Sequence, residues 1–122
     1  MLVWQKSMDL VEAIYKLTRT FPQEERFGLT SQLQKAAVSI PSNIAEGHGR
    51  KFTKVYLNAS SIASGSLMEV ETHLQIGARL RYLSSQQLDE MLTKTQEIGR
   101  MLNGLIKSLN PESLILNPDD RD

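Results

Sequence analysis

The chain has 122 residues, of which 40% are apolar and 23% charged, so it has the size of one domain and is too apolar to be disordered. Aromatic residues make up only 6%, a composition that favours helices over a β-sandwich. The absence of cysteine excludes disulfides, thiolate nucleophiles, zinc fingers and iron–sulfur clusters. Because 14 basic residues balance 14 acidic ones, no net charge attracts the chain to nucleic acid.

The charge is distributed unevenly along the chain. Residues 1–110 contain 13 basic and 10 acidic residues, whereas the last twelve residues contain one basic and four acidic ones. A mildly basic body is therefore followed by an acidic tail.

The sequence favours a cytoplasmic location and no contact with a membrane. The longest uncharged run, residues 55–68, has 14 residues and is rich in Ser, Asn and Ala, so it cannot span a bilayer. The N-terminus lacks the basic start and the apolar stretch of a signal peptide.

The first predicted helix covers about residues 4–20 and is apolar on more than half of its circumference. One apolar stripe consists of Trp4, Met8, Val11 and Tyr15. A second stripe beside it consists of Leu10, Ala13, Ile14, Leu17 and Phe21. A helix packed on one side only needs a narrower stripe, so the pattern predicts contacts on two sides.

The second predicted helix covers about residues 30–47, with Thr30 or Ser31 as the N-cap and the glycines at 47 and 49 as the stop. Pro41 lies inside it. Because proline removes a backbone hydrogen bond, we expect a kink at this position.

The third and fourth predicted helices cover about residues 53–82 and 85–109. Residues 59–66 of the third are small except for Ile62, which predicts close packing against the small residues 39–45. A pocket lined with hydroxyl groups is the alternative. Ser84 and Gln87 have the spacing of a capping box at the start of the fourth helix.

Four long helices with short connections predict an all-α fold, an antiparallel up-down-up-down four-helix bundle. The bundle takes residues 1–110, and residues 111–122 form an irregular acidic tail. Since two helices have more apolar surface than one bundle can bury, we expect a homo-oligomer.

Several segments resemble one known family. The most specific is residues 39–47, Ser-Ile-Pro-Ser-Asn-Ile-Ala-Glu-Gly, in which Ser39, Pro41, Asn43, Glu46 and Gly47 are signature positions. Further matching segments are Val-Trp-Gln-Lys at residues 3–6, Glu-Arg-Phe-Gly-Leu-Thr-Ser-Gln at 25–32, and Gly-Ser-Leu at 65–67 with Glu69, Glu71 and Thr72. Over about residues 2–109 the chain resembles the four helix bundle protein family, first noticed as reading frames within 23S rRNA intervening sequences.

The resemblance implies an antiparallel bundle assembled as a ring-shaped homopentamer. The family also contains the accessory variability protein of diversity-generating retroelements. For the retroelement members, the resemblance implies binding of nucleic acid and of a reverse transcriptase. The present chain departs from them in being neutral, whereas they are strongly basic.

The sequence offers little that indicates catalysis. A ferritin-like metal site needs Glu-x-x-His on two helices, and neither histidine has a glutamate three residues before it. Glu69 and His73 have i,i+4 spacing, for which a solvated polar face is a better interpretation than a metal site. Residues 47–51 lack the spacing and the preceding strand of a phosphate-binding loop. We predict no catalytic residue, no metal and no cofactor.

Asn43 and Glu46 allow two interpretations. Both lie close to Pro41, where polar groups can bond to backbone groups or cap the third helix. The alternative is a contact with a ligand or a partner.

Basic residues carry the main functional hypothesis. An up-down topology places the start of the first helix, the 2–3 connection and the end of the fourth helix at one end of the bundle. The candidate phosphate-binding residues there, called the collar, are Lys6, Arg50, Lys51, Lys54 and Lys107, with His48 among them. In a ring this collar is repeated around the axis and could bind RNA or DNA without sequence preference. The alternatives are an ordinary solvated surface, with Arg79 and Arg81 only complementing a helix dipole, or a protein–protein scaffold without a nucleic-acid role.

Overall fold

Each of the four helical patterns forms a helix. The computed structural model describes residues 1–50 and 52–109, which form α1 (Leu2–Thr18), α2 (Leu29–His48), α3 (Thr53–Arg79) and α4 (Ser85–Leu109), with one 3₁₀ turn at Gln23–Glu25. Helices α1 and α3 each pack on α2 and α4, and the most extensive contact is between α2 and α3. This arrangement confirms the predicted all-α four-helix bundle. The predicted acidic tail, residues 111–122, lies outside the described residues.

Apolar side chains from all four helices form the core. Fully buried members include Leu10 and Ile14 of α1, which belong to the second predicted stripe. The other helices contribute Leu33, Ile40, Ile44, Val70, Leu74, Ile98 and Leu102. Among the described residues, no helix is both long enough and apolar enough to cross a membrane.

The start of α2 differs from the prediction. The helix begins at Leu29 after Gly28, so the expected cap by Thr30 or Ser31 is wrong. The Leu29 N–H donates instead to Glu25 Oε1, at 3.1 Å, from the preceding 3₁₀ turn. A carboxylate at the positive end of a helix dipole stabilises that end.

Helix α2 continues through Pro41 to His48. The bend expected at Pro41 stays a prediction. Gly49, which follows the helix, has a φ of −77°, so the end of α2 does not use a left-handed glycine. Gly47 lies inside the helix and is buried, so it serves in packing and does not end the helix.

The ends of α3 and α4 follow from local hydrogen bonds. The capping box is confirmed: Ser84 N–H donates to Gln87 Oε1 at 2.8 Å, and Gln87 N–H donates to Ser84 Oγ at 3.1 Å. Helix α3 ends at Arg79, three residues earlier than predicted. Arg81 has a φ of 65°, and Tyr82 N–H donates to the Gly77 carbonyl in the pattern of a Schellman motif.

Replacement of Arg81 by glycine is expected to stabilise the protein. A left-handed residue with a Cβ costs about 1–2 kcal/mol, which glycine avoids at the cost of some chain entropy. We expect Arg81→Gly to raise the free energy of unfolding by about 1 kcal/mol, measured by denaturant titration at a fixed protein concentration. Arg81→Ala removes the same charge but keeps the strain. An equal gain in Arg81→Ala would show that charge, and not backbone conformation, limits stability here.

The contact between α2 and α3 depends on Gly47. A Cβ added there would lie 2.9 Å from Ala59 Cβ and 2.9 Å from Tyr56 Cδ1. We therefore expect Gly47→Ala to lower the free energy of unfolding by about 2 kcal/mol, although alanine favours helix. The control is Gly104→Ala on α4, where an added Cβ meets no atom of the described residues within 4 Å. That change should raise stability by up to about 1 kcal/mol. Equal effects of both substitutions would contradict a packing requirement at Gly47.

Candidate nucleic-acid interface

The bundle end predicted to carry the collar is built around Tyr56. Its hydroxyl lies 3.3 Å from His48 Nδ1 and 4.0 Å from Met1 Sδ, so the start of α1, the end of α2 and the start of α3 meet there. The His48 and Tyr56 rings pack edge to face, with centroids 5.7 Å apart. Partial burial raises the pKa of the Tyr56 phenol, which keeps this group neutral.

Two of the collar cations are paired with carboxylates. Lys6 Nζ lies 2.8 Å from Glu97 Oε1, in a groove between α1 and α4. The hydrogen bond between them raises the pKa of Lys6 and lowers the pKa of Glu97. Arg50 Nη2 lies 3.1 Å from Glu46 Oε1. Both positive charges are therefore partly neutralised by the protein itself.

The remaining collar residues lie near helix ends. Lys54 is exposed in the first turn of α3, and Lys107 is exposed in the last turn of α4. Lys51 lies outside the described residues. The 2–3 connection thus brings Arg50 and Lys54 to one end with His48, while Lys6 lies along the α1–α4 face.

The signature residues have structural contacts. Asn43 Nδ2 donates to the Ser39 carbonyl at 2.9 Å and to Ser39 Oγ at 3.0 Å, the backbone type of contact predicted for it. Ser39 Oγ lies 2.8 Å from Ser66 Oγ on α3. Glu46 pairs with Arg50 and does not cap α3. Two of the signature residues, Ser39 and Gly47, therefore lie at the α2–α3 contact.

An apolar groove runs along the outside of α1 and α2. Its volume is about 440 Å³, and it is lined by Trp4, Met8, Val11, Val38, Pro41, Ser42 and Ala45. Trp4 and Met8 are 37% and 42% exposed. Sequence reasoning found the α1 half of this groove as the first apolar stripe. It missed the α2 half, for which Val38 and Ala45, seven residues apart, were the available signal.

A second apolar row lies on α3. Its exposed apolar members are Val55 and Ile62 in the first half of the helix, Ile76 near its end and Leu80 just after it, with the exposed Glu69 between Ile62 and Ile76. The groove is lined by α1 and α2, whereas the row belongs to α3, so the two apolar surfaces are distinct. The histidine and acidic side chains of the described residues include no group of three or more that could hold a metal ion.

Comparisons with known proteins agree with this architecture. A model of the 23S rRNA-intervening sequence protein family matches residues 1–104. The crystal structure of a protein of unknown function from the S23 ribosomal protein family of Bacteroides thetaiotaomicron is similar, with a TM-score of 0.80 and 25% identity. The similarity covers 86% of this chain and 98% of that one. No curated protein matches the sequence.

Proposed function

Because the chain belongs to the 23S rRNA-intervening sequence protein family, we propose that it is a cytoplasmic, non-enzymatic homo-oligomer that binds nucleic acid without sequence preference. The observation that carries the proposal is the exposed apolar groove between α1 and α2. Covering exposed apolar surface with a partner yields a free energy of about 25 cal/mol for each Å² buried. We assign the opposing surface to the apolar row of α3 on a second copy of the chain.

A groove that meets a row uses two different surfaces of each copy. Such head-to-tail contacts produce closed rings when the rotation between copies closes. The number of five copies comes from the family resemblance. The α1–α2 groove and the α3 row are the two different surfaces that each copy in a ring requires.

Self-association is expected to depend on the groove. Light scattering of the intact protein should give a mass near that of five chains. Met8→Glu combined with Val38→Glu should lower the mass to that of a monomer, because two carboxylates would be buried at the contact. The control is Gln96→Glu with Asn103→Glu, which adds the same charge at exposed positions of α4. A monomeric intact protein, or a double variant that assembles normally, would contradict the proposal.

The nucleic-acid part of the proposal has support in the description of the family and in the basic body of the chain. Binding of this kind is driven by release of counterions from phosphates, so it weakens steeply with salt. The alternative function is a scaffold that binds another protein through the α3 row. It predicts no salt-dependent binding of nucleic acid.

A titration with RNA distinguishes these functions. The intact protein should bind a labelled oligouridylate at about 50 mM salt and lose about tenfold or more of its affinity at about 200 mM salt. The expected loss follows from the number of phosphates neutralised around the ring. Absence of binding at the lower salt concentration would refute the nucleic-acid function and favour the scaffold.

A further inference from the structure

The end of the bundle opposite to the collar is held together by Tyr82. The Tyr82 ring packs against Phe21 with centroids 5.5 Å apart, and its hydroxyl donates to Glu25 Oε2 at 2.9 Å. Tyr82 follows α3, whereas Phe21 and Glu25 belong to the connection between α1 and α2. The residues that flank these two turns are therefore gathered at one end.

Four arginines lie at this end. They are Arg19, Arg26, Arg79 and Arg81, and all four are exposed. Arg19 and Arg26 line the same depression, of about 320 Å³, between α1 and the start of α2. Arg81 immediately precedes Tyr82. A guanidinium stays charged at any physiological pH and binds phosphate oxygens in a bidentate manner.

These arginines differ from two of the collar cations, Lys6 and Arg50, in their surroundings. Within residues 1–50 and 52–109, none of the four has a carboxylate at ion-pair distance, whereas Lys6 and Arg50 each have one. Glu25, a carboxylate of the same connection, already accepts two hydrogen bonds: Oε1 accepts the Leu29 N–H and Oε2 accepts the Tyr82 hydroxyl. The positive charge at this end is consequently available to a ligand.

An unusually exposed aromatic ring lies beside the arginines. Phe27 is 87% exposed, although burial of a phenylalanine would yield about 1.5–3 kcal/mol. The Arg26 guanidinium carbon lies 5.3 Å from the centre of the Phe27 ring, which holds a cation next to the exposed ring. Nucleobases stack on aromatic rings placed beside cations in proteins that bind single strands.

We propose that the arginine end, defined as Arg19, Arg26, Phe27, Arg79 and Arg81, is the surface that binds single-stranded nucleic acid. The guanidinium groups bind the backbone phosphates, and Phe27 stacks on an unpaired base. A duplex offers its phosphates but no free base face, so a single strand is the better ligand. This inference rests on the proposed nucleic-acid function and moves the interface away from the predicted collar.

The test compares variants of the two ends of the full-length protein. The probe is a labelled oligouridylate of about 20 nucleotides, long enough to contact phosphates and bases of one or more copies. The first variant, Arg19→Gln with Arg26→Gln and Arg81→Asn, removes three charges, and asparagine tolerates the left-handed backbone at 81. The matched control, Arg50→Gln with Lys51→Gln and Lys54→Gln, removes three charges from the collar. Circular dichroism and light scattering confirm that both variants remain folded and assembled.

The arginine variant should bind about tenfold or more weakly at low salt, with the log–log salt slope reduced by up to about 2, or about 0.7 for each lost phosphate contact. The collar variant should retain its affinity within about threefold. Phe27→Ala should weaken binding about fivefold to a hundredfold with an unchanged salt slope, since stacking releases no counterions. Phe27→Trp should keep or increase the affinity.

Each failure has a separate meaning. If the intact protein does not bind, the nucleic-acid function and this inference are both wrong. If only the collar variant loses binding, the function is right and the arginine end is not the interface. If Phe27→Ala binds normally, or a matched RNA duplex or polyglutamate displaces the oligouridylate as well as unlabelled oligouridylate does, the surface is a general anion site and the single-strand proposal is refuted.

Discussion

The close approach of α2 to α3 is the constraint on which the remaining architecture depends. At Gly47 the two helices are so near that a single added carbon would collide with Ala59 and with the ring of Tyr56. Further along the same contact, the hydroxyl groups of Ser39 and Ser66 meet at 2.8 Å. Side chains larger than these would separate the helices, and the core residues on their inner faces would then lose contact.

This packing also assigns the other surfaces of α2. One side of the helix is occupied by α3, and the inner side supplies the core with Ile40 and Ile44. What remains is the side toward α1, where Val38 and Pro41 join Trp4 to form the outer groove. The outer groove therefore arises because α2 has apolar residues on a third side, in addition to the sides that face α3 and the core.

The sequence predicted the helices well because each carries a regular apolar period, and it predicted the cap of α4 because neighbouring side chains make it. Ser84 and Gln87 have a spacing that specifies the two hydrogen bonds observed. The early end of α3 was missed because the left-handed residue that ends a helix is usually a glycine, whereas here it is Arg81. The cap of α2 was missed because the acceptor, Glu25, belongs to a turn that carries no helical period.

The candidate interface was harder to predict because the availability of a charge depends on its neighbours in space. Lys6 and Glu97 are separated by most of the chain, so only the fold reveals their ion pair. Arg50 and Glu46 have i,i+4 spacing, and this pair was visible in the sequence. The exposure of Phe27 follows from its position after a 3₁₀ turn that directs the chain into α2, a feature without a sequence signature.

The two ends of the bundle have consequences for an assembly. In a cyclic ring every copy is related to the next by one rotation, so the arginine ends of all copies lie on one side when the bundle axis follows the ring axis. In the proposed assembly, a single strand bound across this side would meet the same Arg26 and Phe27 pair once for each copy. Linked contacts of this kind raise the overall affinity far above that of one site, because each further contact is intramolecular. The proposed assembly would therefore let a neutral chain bind nucleic acid with few cations for each copy, because the ring repeats the positively charged arginine end.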